Sequence, residues 1–118
     1  MYRLTDSYKD KTAEGLWTLI ITGLEGKNIV VKSIAGKEYR IITVKEDGIK
    51  YQSPDRNNGA PESIRKKDVI DFLNVLLAEE EFHTKSITES IPRSIYRKRS
   101  PVFAILLHTK IIEKKIDS

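Results

Sequence analysis

Lys37-Glu38-Tyr39-Arg40-Ile41-Ile42-Thr43-Val44-Lys45-Glu46-Asp47-Gly48-Ile49-Lys50-Tyr51-Gln52-Ser53 is the stretch that decides the fold class. Tyr39, Ile41 and Thr43 alternate with Arg40, Ile42 and Val44, a period of two rich in β-branched residues. Asp47-Gly48 interrupts the run before Ile49-Lys50-Tyr51 resumes it. Asp-Gly between two β-prone runs is a strong hairpin signal, because a tight primed turn wants positive φ at both central residues. Just upstream, Ile29, Val31 and Ile34 lead to a turn at Gly36. We therefore expect an antiparallel meander of three strands, over 28–34, 37–45 and 49–53. Lys32, Lys37, Arg40, Lys45 and Lys50 decorate it, and alternation gives no reason for them to share a face.

Helical signals flank the meander. Trp17, Ile20, Ile21 and Leu24 are spaced i, i+3, i+4 and i+7. Thr12 is a candidate N-cap, and Gly23 or Gly26 a candidate end, although Thr18, Ile20, Ile21 and Thr22 are also β-branched. The segment before Thr12 reads as an irregular lead-in. After the meander, Ser53 to Ser63 carries Pro54, Asn57-Asn58, Gly59 and Pro61 and reads as a loop. Val69, Phe72, Leu73, Leu76 and Leu77 then predict a helix over 65–80. Its charges run against the helix dipole, with Arg65-Lys66-Lys67 at the start and Glu79-Glu80-Glu81 at the end. Ser86-Ile87-Thr88-Glu89 matches a capping box for a short helix that Pro92 stops. Ser100-Pro101 predicts a serine-capped helix over 101–110, apolar all round and so central to the core. Ile111-Ile112 either extends it or forms a last short strand, and 113–118 reads as a frayed tail. The expected order is helix, three strands, three helices: an α+β fold. It resembles winged-helix modules in element types alone, and such a likeness carries no function.

At 118 residues the chain fits one domain, 1–118. With no cysteine, disulfides, thiolate metal sites and cysteine nucleophiles are excluded. The longest apolar run, Val102 to Leu107, is far short of the ~20 residues of a membrane helix. The opening Met1-Tyr2-Arg3-Leu4-Thr5-Asp6 has no apolar signal core. We expect a cytoplasmic protein without a membrane partner.

Catalytic constellations are weak. His83 and His108 lie on different segments with no ligand at metal spacing, so no metal and no cofactor is expected. Pro54-Asp55 and Glu113-Lys114-Lys115 spell a restriction-type nuclease pattern, but in a loop and a tail that nothing draws together. No nucleophile elbow and no phosphate-binding glycine loop occurs. We expect no enzyme.

Charge is more informative. Lys plus Arg number 21 against 17 Asp plus Glu, a net charge of +4. From Ser90 to Ile112 there are Arg93, Arg97, Lys98, Arg99 and Lys110, and no acidic residue. Arg97-Lys98-Arg99-Ser100 stands at a predicted helix start, where free amides and the dipole favour phosphate. Tyr96 could bind phosphate or stack on a base. The expected function is a small nucleic-acid-binding module, for DNA rather than RNA. Arg97, Lys98, Arg99 and Ser100 would hold phosphates, supported by Arg93, Tyr96 and Lys110, with Arg65, Lys66 and Lys67 as a second contact set. The plain alternative is a solvated basic turn whose arginines pair with Glu79–Glu81. The rival function is a protein-interaction or assembly module, homo-oligomers included, using an apolar patch from Leu16–Leu24 and Val102–Ile112.

Overall fold

The computed structural model describes residues 2–26, 29–53, 59–79, 81–83 and 87–115. The start of the first expected strand at Asn28, the loop residues Pro54 to Asn58, Glu80 and the cap Ser86 lie outside the described residues. The fold is mixed α+β, with three helices and two antiparallel sheets among the described residues. In chain order the elements are β1 (Tyr2–Leu4), α1 (Ala13–Gly23), β2 (Val30–Lys32), β3 (Glu38–Lys45), β4 (Gly48–Gln52), β5 (Glu62–Arg65), α2 (Lys66–Glu79), β6 (Glu81–Phe82), α3 (Arg99–His108) and β7 (Ile112–Lys114). Short 3-10 turns occupy Asp6–Tyr8, Thr88–Ser90 and Tyr96–Lys98.

The meander is present and has a fourth strand, in the order β2-β3-β4-β5. One face carries Val31, Tyr39, Ile41, Ile49, Tyr51 and Ile64, all buried. That face packs on the helices: Ile49 and Ile64 meet Trp17 and Ile20 of α1, Val69 of α2, and Val102, Ile105 and Leu106 of α3. Tyr39 and Tyr51 stack edge to face at 5.8 Å, and Phe72 meets Phe103 the same way at 5.7 Å. A second sheet, β6-β1-β7, ties both ends of the chain to the end of α2.

Local chemistry explains the helices. Thr12 caps α1 by accepting the Gly15 amide at 3.0 Å, and Gly23 is its last residue. β5 runs into α2 without a loop, so Arg65 belongs to the strand. The Lys66 amide, first of α2, donates to the Asp47 carbonyl at 2.8 Å, so the β3–β4 hairpin satisfies that amide. The reversed charge order is also milder than expected. Lys66 is neutralised by Glu14 and Glu46, and buried Asp68 stands in the first turn. α3 ends in a Schellman motif: Lys110 N–H donates to the Leu107 carbonyl and Ile111 N–H to the Leu106 carbonyl, with Lys110 left-handed at φ 61°.

Several expectations need correction. The element order differs, because β1, β5, β6 and β7 frame and interrupt the helices. The hairpin turns one residue earlier than Asp47-Gly48: Lys45 pairs with Gly48, leaving Glu46-Asp47 as the loop, and no residue there has positive φ. Gly48 serves spacing instead, since a Cβ would lie 2.8 Å from the Ile64 carbonyl oxygen on β5. Ser100 is not the cap of α3. The helix starts at Arg99, and the Ser100 hydroxyl accepts from Tyr39 Oη at 2.8 Å. Within 87–91 Ile87 is helical, its N–H donating to the His83 carbonyl at 3.0 Å, and Thr88–Ser90 form a 3-10 turn. Glu113 is no frayed end: it lies in β7 and accepts from Arg3 Nε at 2.9 Å. The expected apolar patch is internal, because Leu16, Trp17, Ile20, Leu24, Val102 to Leu106, Ile111 and Ile112 are all buried. Among the described residues no helix is long and apolar enough to cross a membrane.

Candidate functional site

The basic segment is a built turn. Ile87, Ile91 and Ile95 recur every four residues and are buried, so the side chains between them turn outward. Ile95 N–H donates to the Pro92 carbonyl at 3.1 Å and Lys98 N–H to the Ile95 carbonyl at 2.8 Å. Arg93, Ser94, Tyr96 and Arg97 are exposed as a result. Arg99 lies over the Tyr96 ring at 4.5 Å and donates to the Tyr96 carbonyl at 2.8 Å. Lys98 reaches away from its own turn and donates through Nζ to the Ser63 carbonyl on β5.

That bond brings one residue of each basic group, Lys98 and Arg65, to the same cleft. Arg65, Ser63, Asp68, Ser94 and Lys98 line one cleft of about 290 Å³. Asp68 accepts from Arg65 Nε at 3.1 Å, and among the described residues no hydrogen bond to a protein group occupies the outer guanidinium nitrogens. The cleft opens on one side to a hollow lined by Arg93, Tyr96 and Arg97, which shares Ser94 and Lys98 with it. On the other side it meets a depression of about 210 Å³ bordered by Thr43, Lys45, Asp47, Lys50, Ser63 and Arg65 and floored by Gly48. The three share lining residues and form one trough. Among the described residues Arg93, Arg97, Lys98, Arg99, Lys45 and Lys50 make no ion pair. Among the described residues Glu79 and Glu81 pair with none of these arginines, Glu81 being bound to Lys115 at 2.9 Å, while Glu80 lies outside the described residues.

Other expected site residues sit elsewhere. Lys66 is held in a bridge, 2.9 Å from Glu14 and 3.0 Å from Glu46, which raises its pKa above the ordinary lysine value. Lys67 is exposed beside it and lines none of the three hollows. Ser100 is committed to Tyr39. Lys110 lies at the far end of α3 from Arg99, roughly 16 Å away at 1.5 Å per residue. Among the described residues no group of three His, Asp or Glu side chains could hold a metal ion.

Lys45 and Lys50 were not expected here. Arg40 and Lys45 are five apart, an odd number that places them on opposite faces of a regular strand. A β-bulge between Ile41 and Thr43 sets Ile42 aside and shifts the frame. Beyond it Thr43 pairs with Lys50 and Lys45 with Gly48 on the outer face, where Lys50 pairs onward with Ser63 and Gly48 with Arg65. The signal was in the sequence: the inward positions run Tyr39, Ile41, Val44, a step of three where two was due.

No protein-family model, no curated protein and no solved structure matches this chain.

Proposed function

We propose that the protein is a non-enzymatic nucleic-acid-binding module, for DNA rather than RNA, with its contacts centred on the 93–99 turn. One observation carries the reading: the Lys98 side chain crosses to β5, so that Arg65 and Lys98 line the same cleft beside Arg93 and Arg97. Arg65 is paired with Asp68, while Arg93, Arg97 and Lys98 make no ion pair among the described residues; cations gathered in this way are what a phosphate backbone rewards, because each contact releases condensed counterions. The anchoring of the turn by Ile91 and Ile95 supports this, since contacts that are already ordered lose little entropy on binding. The use of a hairpin beside a helix start is the one winged-helix-like element of the proposal. An intracellular location belongs to it as well, as the partner requires. The protein-interaction reading loses its sequence feature, because the aliphatics meant for an exposed patch are interior.

The test is fluorescence anisotropy with labelled DNA and RNA over a salt series. Roughly four to six phosphate contacts give a slope of log K against log salt of about −4 to −5 on duplex DNA. Arg97→Ala, Lys98→Ala and Arg99→Ala combined should flatten the slope by up to about three units without sequence preference. Absence of binding at low salt would remove the proposal. An unchanged slope in the triple variant would remove the site assignment.

A further inference from the structure

We infer that the outer face of the four-stranded sheet is the second half of this interface and that it seats the backbone of double-stranded nucleic acid, with phosphate resting over Gly48. The inference rests on the nucleic-acid reading above and names the form of the partner.

Three observations converge. First, the strands present Lys32, Arg40, Lys45, Lys50 and Arg65 on the outer face, with Glu38 3.9 Å from Lys32, Asp47 at the turn and Asp68 paired with Arg65 as the acidic neighbours. They do so only because the bulge at Ile42 brings Lys45 round to the side of Arg40. Second, Lys45, Gly48 and Arg65 form one row across β3, β4 and β5. Gly48 has no side chain, so the row is two cations about 10 Å apart, at ~4.8 Å per strand, with a bare floor between them. Thr43, Lys50 and Ser63 close one side of that depression, and Asp47 at the turn is its one carboxylate. A phosphate placed there meets three cations and two hydroxyls. Third, the face carries no stacking platform. Tyr39 and Tyr51 point inward, and Trp17, Phe72, Phe82 and Phe103 are buried. Tyr2 and Tyr8 are half-buried, with Tyr2 stacked on Phe82 in the other sheet. Tyr96, the remaining aromatic, has Arg99 over its ring. Single strands are gripped largely by stacking splayed bases on aromatic rings, whereas a duplex keeps its bases stacked on each other and offers phosphates. A cationic outer face without rings suits the duplex, and phosphate contacts alone make binding independent of sequence.

The experiment uses the full chain and the doubly substituted Lys45→Ala, Lys50→Ala variant. Both positions are exposed, and unchanged thermal melting confirms folding. Anisotropy is read with 20-mer duplex DNA, duplex RNA and single-stranded DNA at several salt concentrations. The expected result is tighter binding to duplex than to single strand, indifference to sequence, and a slope about two units flatter in the variant. That difference makes the variant roughly tenfold less salt-sensitive between 50 and 200 mM. Thr43→Glu, which places a carboxylate in the depression at a strand position, should weaken duplex binding further. Preference for single strands, or an unchanged slope in the double variant while the Arg97, Lys98, Arg99 triple variant loses binding, would overturn the sheet-face inference and leave the turn in place. Loss of all binding by the native chain would overturn both.

Discussion

Replacing Gly48 separates two explanations of the hairpin. If glycine were needed for positive φ, Asn would substitute at a cost of a few tenths of a kcal/mol, because Asn tolerates the left-handed region. The structure gives a different reason. Gly48 has no positive φ, and a Cβ there would stand 2.8 Å from the backbone oxygen of Ile64. Ordinary contact between such atoms needs roughly 0.5 Å more, and a strand carbonyl cannot swing aside as a side chain can. β4 and β5 would have to part at the Gly48–Arg65 pair, where the hairpin also satisfies the first amide of α2. Overpacking of this kind costs about 1–3 kcal/mol. Gly48→Ala should therefore destabilise by that amount, and Gly48→Asn by at least as much. The assay is urea denaturation followed by circular dichroism, with equal m-values confirming that only stability has changed. An Asn variant close to native stability beside a weakened Ala variant would refute the close-approach argument and restore the turn-geometry one.

Further outcomes follow from individual contacts. Ser100→Ala should cost about 1–3 kcal/mol by orphaning the hydroxyl of buried Tyr39, and should leave the salt slope of DNA binding unchanged. Lys110→Gly relieves a left-handed lysine in the Schellman motif and should stabilise by roughly 0.5–1 kcal/mol in the same denaturation assay, again without effect on binding. Hydrogen bonding to Lys115 holds the Glu81 carboxyl below its ordinary value. Its contribution is present above the ordinary carboxylate value and lost as pH falls through the depressed one, so Glu81→Gln should flatten the acid limb of a stability–pH curve. Lys66 behaves oppositely. Hydrogen bonds to Glu14 and then Glu46 raise its pKa, so its contribution is complete below the ordinary lysine value and fades as pH rises through the raised one; Lys66→Met should remove that alkaline limb.

Legibility followed the length of each pattern. The β3–β4 pair announced itself through alternation, and α1, α2 and α3 through spacing or start signals. β1, β6 and β7 are two or three residues long and have no period to read. β5 holds a single apolar residue, Ile64, in a proline-led segment, and its strand character comes from pairing with β4. The basic turn was visible as charge, but its shape depends on Ile91 and Ile95 gripping the core from either side of Arg93. Lys45 and Lys50 share a face with Arg40 only through the bulge at Ile42, where strict alternation breaks. Lys66 and Lys110 looked like their basic neighbours, and only tertiary partners separated them.

The small β6-β1-β7 sheet has a kinetic consequence. The Arg3–Glu113 bond within it joins residues 110 positions apart, whereas the β3–β4 hairpin closes over two residues. Closure entropy rises by about 0.6 kcal/mol per doubling of the loop, so gathering the two ends costs roughly 2 kcal/mol more than closing a loop of about ten residues. Pairing of β1 with β7 is therefore expected to form late, after the larger sheet and its helices have shortened the effective separation. The trough of cations is built almost wholly from elements that precede that step, so a chain whose ends are still apart already carries its charged surface in assembled form.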